Sequence, residues 1–293
     1  MIKEPVGSDV ASRSFPEWIG KRMTAQDVIT PNPVIALSAT LDRDDHEPSL
    51  GDELPPLWHW LYFLPAPKAS QIGSDGHPRR GDFLPPIPLP RRMRAGGLLY
   101  FEAPLRIGDR ANRTSTVKDI VQKQGRDGPL AFVTVLHEIY VGDRRVIIEE
   151  ENIVYRNPDQ PQSRPASPVW APADPQWSRH IVPDPVLLFR LSALTFNAHR
   201  IHYDRDYAIL EEGYPGLVVQ APLTAIILLD LLRSNLPEFQ VGSVRFRAMR
   251  PLFDTAPFQV QGRRDGDKVL LWALDSQGHL AMRSEVSRLL KNP

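Results

Sequence analysis

The chain has 293 residues, 42% of them hydrophobic, enough for one large core or two of ordinary size. Its 35 Lys and Arg balance 35 Asp and Glu, so zero formal charge gives no compositional support for a general attraction to nucleic acid or to an anionic membrane. The absence of cysteine removes disulfides, thiolate metal sites and cysteine nucleophiles together, and is compatible with a reducing cytoplasm.

Taken in order, the first twenty residues carry Lys3, Glu4, Asp9, Arg13 and Glu17 with no apolar core, which argues against a secretory signal. Over residues 15–27, Ser14 as N-cap, Pro16 near the first turn and Trp18, Ile19 and Met23 at helical spacing predict a short helix. Residues 55–64, with Leu57, Trp58, Trp60, Leu61, Tyr62, Phe63 and Leu64, are apolar nearly all round, as expected of a buried helix wrapped by a sheet. Residues 66–90, with three glycines and six prolines, read as loop. Segments 97–105, 113–123, 130–141 and 145–155 are β-rich and parted by turn residues, the pattern of an antiparallel meander. The proline-rich stretch 158–176 predicts an extended linker between two units, 1–157 and 177–293.

The second unit holds a turn at 212–216, an apolar helix from about 222 to 234, and strands near 241–250, 256–263, 269–275 and 281–289. Its longest apolar run, residues 225–232, is interrupted by Asp230 and is too short to span a bilayer. Phe101, Ala103 and Asp109 recur at the same spacing as Phe246, Ala248 and Asp254, and the turn Arg126-Asp127-Gly128 recurs as Arg264-Asp265-Gly266. With helix before meander in both units, these echoes predict an internal duplication in an α+β chain.

Chemistry is densest at residues 194–204, where Asn197, His199, Arg200, His202, Tyr203 and Asp204 fall within eight positions. An imidazole can take a proton from water and return it within one turnover, so His202 is the first candidate base and acid; the residue type also fits a core histidine bonded to backbone. A neutral amide cannot act as a base near neutral pH, so Asn197 can position water or serve as a turn residue. Asp204 fits either an orienting carboxylate for His202 or a solvated loop group. His199 and His202 form an H-x-x-H pair, but the sequence shows no third ligand at metal spacing, and no metal is expected. Arg79, Arg80, Arg91, Arg92 and Arg94 form the basic cluster. Arg91, Arg92, Arg94 and Arg200 are candidates for binding phosphate or carboxylate, with a solvated face or internal ion pair as the alternative. No G-x-G-x-x-G, P-loop or G-x-S-x-G stands in the chain, against nicotinamide enzymes, kinases and α/β-hydrolases.

Asn197, Ala198, His199, Arg200, Ile201 and His202, followed by Ala208, resemble the D-x-N-P-L-H signature of MaoC-like (R)-specific enoyl-CoA hydratases and hydroxyacyl-thioester dehydratases. The wording is similar to the branch with itaconyl-CoA and mesaconyl-C4-CoA hydratases and the type 2 hydroxyacyl-thioester dehydratases, and residues 84–97 are similar to that branch as well. The chain departs from the signature at Asn197, where the family has aspartate, and at His199-Arg200, where it has Asn-Pro. The resemblance implies a double hotdog, two tandem units each wrapping an antiparallel sheet around an apolar helix, with a non-catalytic first unit and a catalytic second one. It implies a cytoplasmic hydro-lyase acting on an acyl-CoA thioester, without cofactor, nucleic acid or membrane partner, and compatible with a homodimer. Gln220-Ala221-Pro222 stands where the family has His-Gly, so the Ala221 N–H is the expected donor to the thioester oxygen. A short branched diacid thioester such as itaconyl-CoA or mesaconyl-C4-CoA is the first substrate choice. A fatty 3-hydroxyacyl thioester, a thioesterase using Asp204, and a non-catalytic acyl-CoA binder are the alternatives.

Overall fold

The computed structural model describes residues 15–125, 128–158 and 169–289. The first half supplies β1 (Arg22–Val28), α1 (Pro31–Thr40), β2 (Arg91–Phe101), β3 (Arg110–Gly125), β4 (Gly128–Val141) and β5 (Arg144–Arg156). The second supplies β6 (Trp177–Ile181), α2 (Pro185–Leu194), α3 (Ala221–Asn235), β7 (Val241–Ala248), β8 (Phe258–Asp265), β9 (Lys268–Leu274) and β10 (Leu280–Arg288). All ten strands form one antiparallel sheet ordered β1-β3-β4-β5-β2-β7-β10-β9-β8-β6. Counted outward from the centre, β2-β5-β4-β3-β1 and β7-β10-β9-β8-β6 have the same connectivity, the topological form of a duplication. The result is the double hotdog. Arg126 and Asp127 of the repeated turn lie outside the described residues.

The halves are joined where β2 pairs with β7, from Gly96↔Arg247 to Tyr100↔Ser243. A Cβ on Gly96 would stand 2.5 Å from the Phe246 carbonyl oxygen, and one on Gly97 would stand 2.9 Å from the Phe246 ring and 3.0 Å from the Glu150 carbonyl oxygen. Two side-chain-free residues are therefore what lets the second half approach the first.

Helix α3 fills the second half. Every residue from Leu223 to Leu232 is buried, and each large aliphatic side chain among them contributes roughly 1.5–3 kcal/mol by leaving water. Asp230, the lone carboxylate in this run, pairs with Arg43 from the first half and with Arg179 of β6 at 2.8 Å, so the apolar helix also tethers both units.

Among the described residues the first half has no counterpart of α3. The helix expected over 55–64 is reduced to one 3-10 turn, Trp58–Leu61, and Leu57 and Phe63 on either side take positive φ of 72° and 56°. Polar anchors explain the difference: His59 Nε2 and Trp60 Nε1 each lie 3.0 Å from the buried Glu149 carboxylate, and Phe63 N–H donates to Asp27 at 2.7 Å. These bonds draw the segment onto the sheet, and the flanking prolines deny it further turns.

Other expectations are also corrected. Residues 15–27 hold a 3-10 turn, Pro16–Trp18, broken at Gly20 (φ 85°) and followed by β1, which pairs with β3. The expected N-cap, Ser14, lies outside the described residues. α1, α2, β1 and β6 were not expected as elements. Of the linker, 159–168 lie outside the described residues, whereas Trp170 bridges His279 and Gln176 bonds Gly262, so 169–176 packs along the second half.

Candidate active site

The candidate motif begins as the end of a helix. Asp184 caps α2 by accepting the Leu187 N–H at 2.8 Å, and Pro185 takes the first helical position. At the other end the Phe196 N–H donates to Ala193 and the Asn197 N–H to Ser192, at 3.3 and 2.8 Å, with Phe196 left-handed at φ 47°. This is a Schellman closure with phenylalanine in the position glycine usually fills. It turns the chain sharply. The Asn197 Oδ1 then accepts the His199 N–H at 3.1 Å, and a 3-10 turn, Arg200–His202, follows. Ala208 is fully buried, and its carbonyl accepts the Tyr214 N–H at 2.9 Å.

His202 is buried with its Nδ1 2.7 Å from the Val218 carbonyl oxygen. A carbonyl only accepts, so Nδ1 carries the proton and Nε2 is left with its lone pair. Burial, abetted by the neighbouring His77, lowers the His202 pKa to about 4 against the opposing effect of the Val218 bond. The imidazole is thus a free base at neutral pH. Ala221 is the first residue of α3, and its N–H has no acceptor among the described residues. Buried Gln220 locks α3 to α2, its Nε2 donating to the Leu188 carbonyl at 2.9 Å and to Ser192 Oγ at 3.0 Å. His202, Asn197 and Ala221 line a single cavity of about 1650 Å³.

A free imidazole nitrogen and a helix-end N–H facing one cavity suit a proton transfer next to a polarised carbonyl. The sequence profile of the hydroxyacyl-thioester dehydratase type 2 family matches residues 57–254. The chain belongs to that family. It is 49% identical over 277 residues to the mesaconyl-C4-CoA hydratase of Chloroflexus aurantiacus, covering 94% of this chain and 99% of that one. It is 27% identical over 278 residues to the mitochondrial hydroxyacyl-thioester dehydratase type 2 of Schizosaccharomyces pombe, covering 82% of this chain and 89% of the relative. Among solved structures, HtdX of Mycobacterium tuberculosis shares the fold at a TM-score of 0.66 and 16% identity, over 92% of this chain and all of that one. The protein is a double-hotdog hydratase/dehydratase.

Within this type 2 dehydratase, several predicted residues have other work. Asp204 does not orient His202. It accepts two bonds from Arg200, at 2.9 and 2.8 Å, caps the next turn through the Tyr207 N–H at 3.1 Å, and lies outside the cavity lining. The Val218 carbonyl does the orienting instead. Arg200 is held by Asp204 and lies 4.1 Å from the centre of the Tyr207 ring. Arg91 is buried against Glu212, its Nε 3.0 Å from the carboxylate. Arg94 pairs with Glu149 and, at 3.4 Å, with Glu151, and stacks 4.3 Å from the Trp60 ring. Of the four proposed anion-binding arginines, Arg92 alone both lines the cavity and has no carboxylate partner among the described residues.

His199 is buried, its ring edge-on to His202 with centroids 5.2 Å apart and an interplanar angle of 89°. Burial and the adjacent His77 and His202 lower its pKa to about 2. His77 comes from the first half and stacks on His199 at 3.8 Å, with Asp75 3.1 Å from its Nδ1. Ligand atoms of Asp75, His77 and His199 lie within 4.8 Å of one another, a grouping that does not include His202. A Ser-Asp-Gly-His turn in a proline-rich loop was the available signal. The far wall, also unforeseen, is polar: Glu149 and Glu151 of β5 meet His59, Arg94 and His137, with His137 3.2 Å from Glu151. Its signal lay in β5, where carboxylates at alternate positions share a face with Ile147 and Ile153.

Proposed function

We propose that the chain hydrates mesaconyl-C4-CoA or a similar short branched diacid thioester, with His202 as base and acid and the Ala221 N–H as donor to the thioester oxygen. The observation that carries this reading is the His202 Nε2 lone pair, fixed by the Val218 bond, in one cavity with the unbonded Ala221 N–H at the start of α3. His202 takes a proton from water as the oxygen adds to the β-carbon. The double-bond electrons move to the thioester oxygen, which the Ala221 N–H and the helix dipole stabilise. The imidazolium then returns the proton to the α-carbon. Asn197 Oδ1 accepts the His199 N–H, which fixes the side chain, and its amide NH2 can donate to the water oxygen.

Arg92 favours a diacid over a fatty chain, because it lines the cavity without a carboxylate partner among the described residues and can offer its guanidinium to the substrate's free carboxylate. Itaconyl-CoA ranks second, because its double bond is not conjugated with the thioester and cannot use the enolate route. With Asp204 consumed by Arg200, the thioesterase alternative loses its carboxylate. Among the described residues no helix is long and apolar enough to cross a membrane; a cytoplasmic placement and a homodimer are part of the same proposal. The test is a screen of mesaconyl-C4-CoA, crotonyl-CoA and a long-chain enoyl-CoA, reading loss of the conjugated-thioester absorbance and, in parallel, thiol release. Absorbance loss without thiol, strongest for mesaconyl-C4-CoA, is expected. Thiol release, or a preference for the long chain, would refute the reading.

A further inference from the structure

The loop between α1 and β2 sends one turn from the first half onto the catalytic motif of the second. The Arg200 N–H donates to the Asp75 carbonyl at 2.9 Å, and Arg200 Nη1 donates to the Ser74 carbonyl at 3.1 Å. Next to them Gly76, at φ 87°, sits so close that a Cβ would stand 1.8 Å from the Ala198 carbonyl oxygen, a position open only to glycine. This seating places His77 on His199 and inside the same cavity as His202 and Asn197.

Asp75 holds His77 twice, its Oδ1 accepting the backbone N–H at 3.0 Å and its Oδ2 lying 3.1 Å from the ring Nδ1. Burial opposes the charge on Asp75, but the bond from His77 prevails and holds the carboxyl well below its usual range. An ionised carboxylate only accepts, so Nδ1 bears the hydrogen and the Nε2 lone pair of His77 is free. Burial lowers the His77 pKa, against the Asp75 bond and together with the Arg92 and Arg80 cations; His199 packs on the remaining face. His77 is thereby kept neutral and able to accept.

A reacting water has two hydrogens and two lone pairs. In the second half, His202 Nε2 accepts one hydrogen, Asn197 NH2 donates to one lone pair, and the other lone pair attacks carbon. For the second hydrogen, Asn197 Oδ1 already accepts the His199 N–H, Asp204 is bound to Arg200 outside the cavity, and the unpartnered Gln220 Oε1 belongs to a side chain held to α2 through its Nε2, whereas His77 Nε2 is free in the cavity. We propose that His77 is a second catalytic imidazole, whose Nε2 accepts the water O–H that survives as the product hydroxyl, and that Asp75 is its positioning residue. The inference rests on the hydratase reading above. The O–H bond facing His202 breaks as the C–O bond forms, the electron pair passes through the thioester oxygen to the new C–H bond, and His202 supplies that proton. His77 ends the turnover as it began.

The test is steady-state hydration of mesaconyl-C4-CoA by the full chain, with His77→Phe, His77→Ala, His77→Gln and Asp75→Asn, each checked for its thermal transition. Phenylalanine keeps a ring on His199 but offers no acceptor. Phe and Ala should each lower kcat by about 100-fold with KM little changed, in the range for one preorganised hydrogen-bonding group. Gln, whose amide oxygen accepts, should recover about tenfold of that loss. Asp75→Asn, which can donate to Nδ1 and move the ring hydrogen to Nε2, should fall between. A His77→Phe enzyme within about threefold of wild type would overturn the assignment and leave His77 a spacer. Activity lost on chelation and restored by zinc would also overturn it, since Asp75, His77 and His199 would then be metal ligands. A wild type inactive on every enoyl thioester would overturn both readings, whereas an active wild type with an active His77→Phe sinks this one alone.

Discussion

Asn197→Asp separates a chosen water holder from a damaged two-base site. Burial places the His202 pKa at about 4, so wild-type enzyme is essentially all free base at pH 7. A carboxylate within about 4–6 Å favours the imidazolium by roughly one to three units, moving the pKa to between about 5 and 7. At pH 7 that removes at most about half of the free base, but at pH 5.5 the neutral fraction falls from about 97% to between about 75% and 3% by the same shift. The variant also exchanges the amide donor for an acceptor, at about 1 kcal/mol, or roughly fivefold in rate on the alkaline plateau. The Asx bond to the His199 N–H survives, because either side chain has an oxygen for it. The assay is kcat/KM on mesaconyl-C4-CoA from pH 4.5 to 9. The ascending limb should move up by one to three units with a plateau about fivefold lower. An unmoved limb, or a variant faster than wild type at every pH, would refute the reasoning.

His202→Ala should lower kcat by about 10²- to 10⁴-fold while CoA affinity, measured by calorimetry, is retained; keeping more than a tenth of the rate would remove its role. Folding stability should be greatest above about pH 6.5 and should fall as pH drops toward 4. The depressed His77, His199 and His202 stay neutral in the native state while the unfolded chain protonates them below about pH 6.5, and urea titrations at pH 7 and 4.5 would show the loss. Residues 177–293 expressed alone should be self-associated and inactive, since β7 would bare the edge that β2 covers and the Asp75–His77 turn would be missing; sedimentation and assay decide this. Gly97→Val should leave the chain insoluble or destabilised by several kcal/mol, because its side chain would meet the Phe246 ring and the Glu150 carbonyl; a thermal transition close to wild type would contradict the account of the joint.

What could be read without coordinates was whatever short-range spacing encodes. Alternation carried β2 to β5 and β7 to β10, and an uninterrupted apolar run behind Pro222 carried α3. The resemblance of residues 197–208 to a known family signature implied the reaction class, and the repeated Phe-x-Ala and Asp positions pointed to the duplication. Brief segments failed, because ten residues of apolar sequence fit a helix or a pinned coil alike: only the bonds from His59 and Trp60 to Glu149, about ninety positions away, decide that residues 55–64 make a single turn. The same holds for the groups around His202. Burial sets its protonation, Val218 its tautomer and Arg200 the fate of Asp204, and the Asp75–His77 turn reaches it across more than a hundred residues. Hydrogen bonds and desolvation act through space, and sequence spacing reports only neighbours along the chain; the residue types at the site were therefore legible, and their charges, partners and second imidazole were decided by the fold.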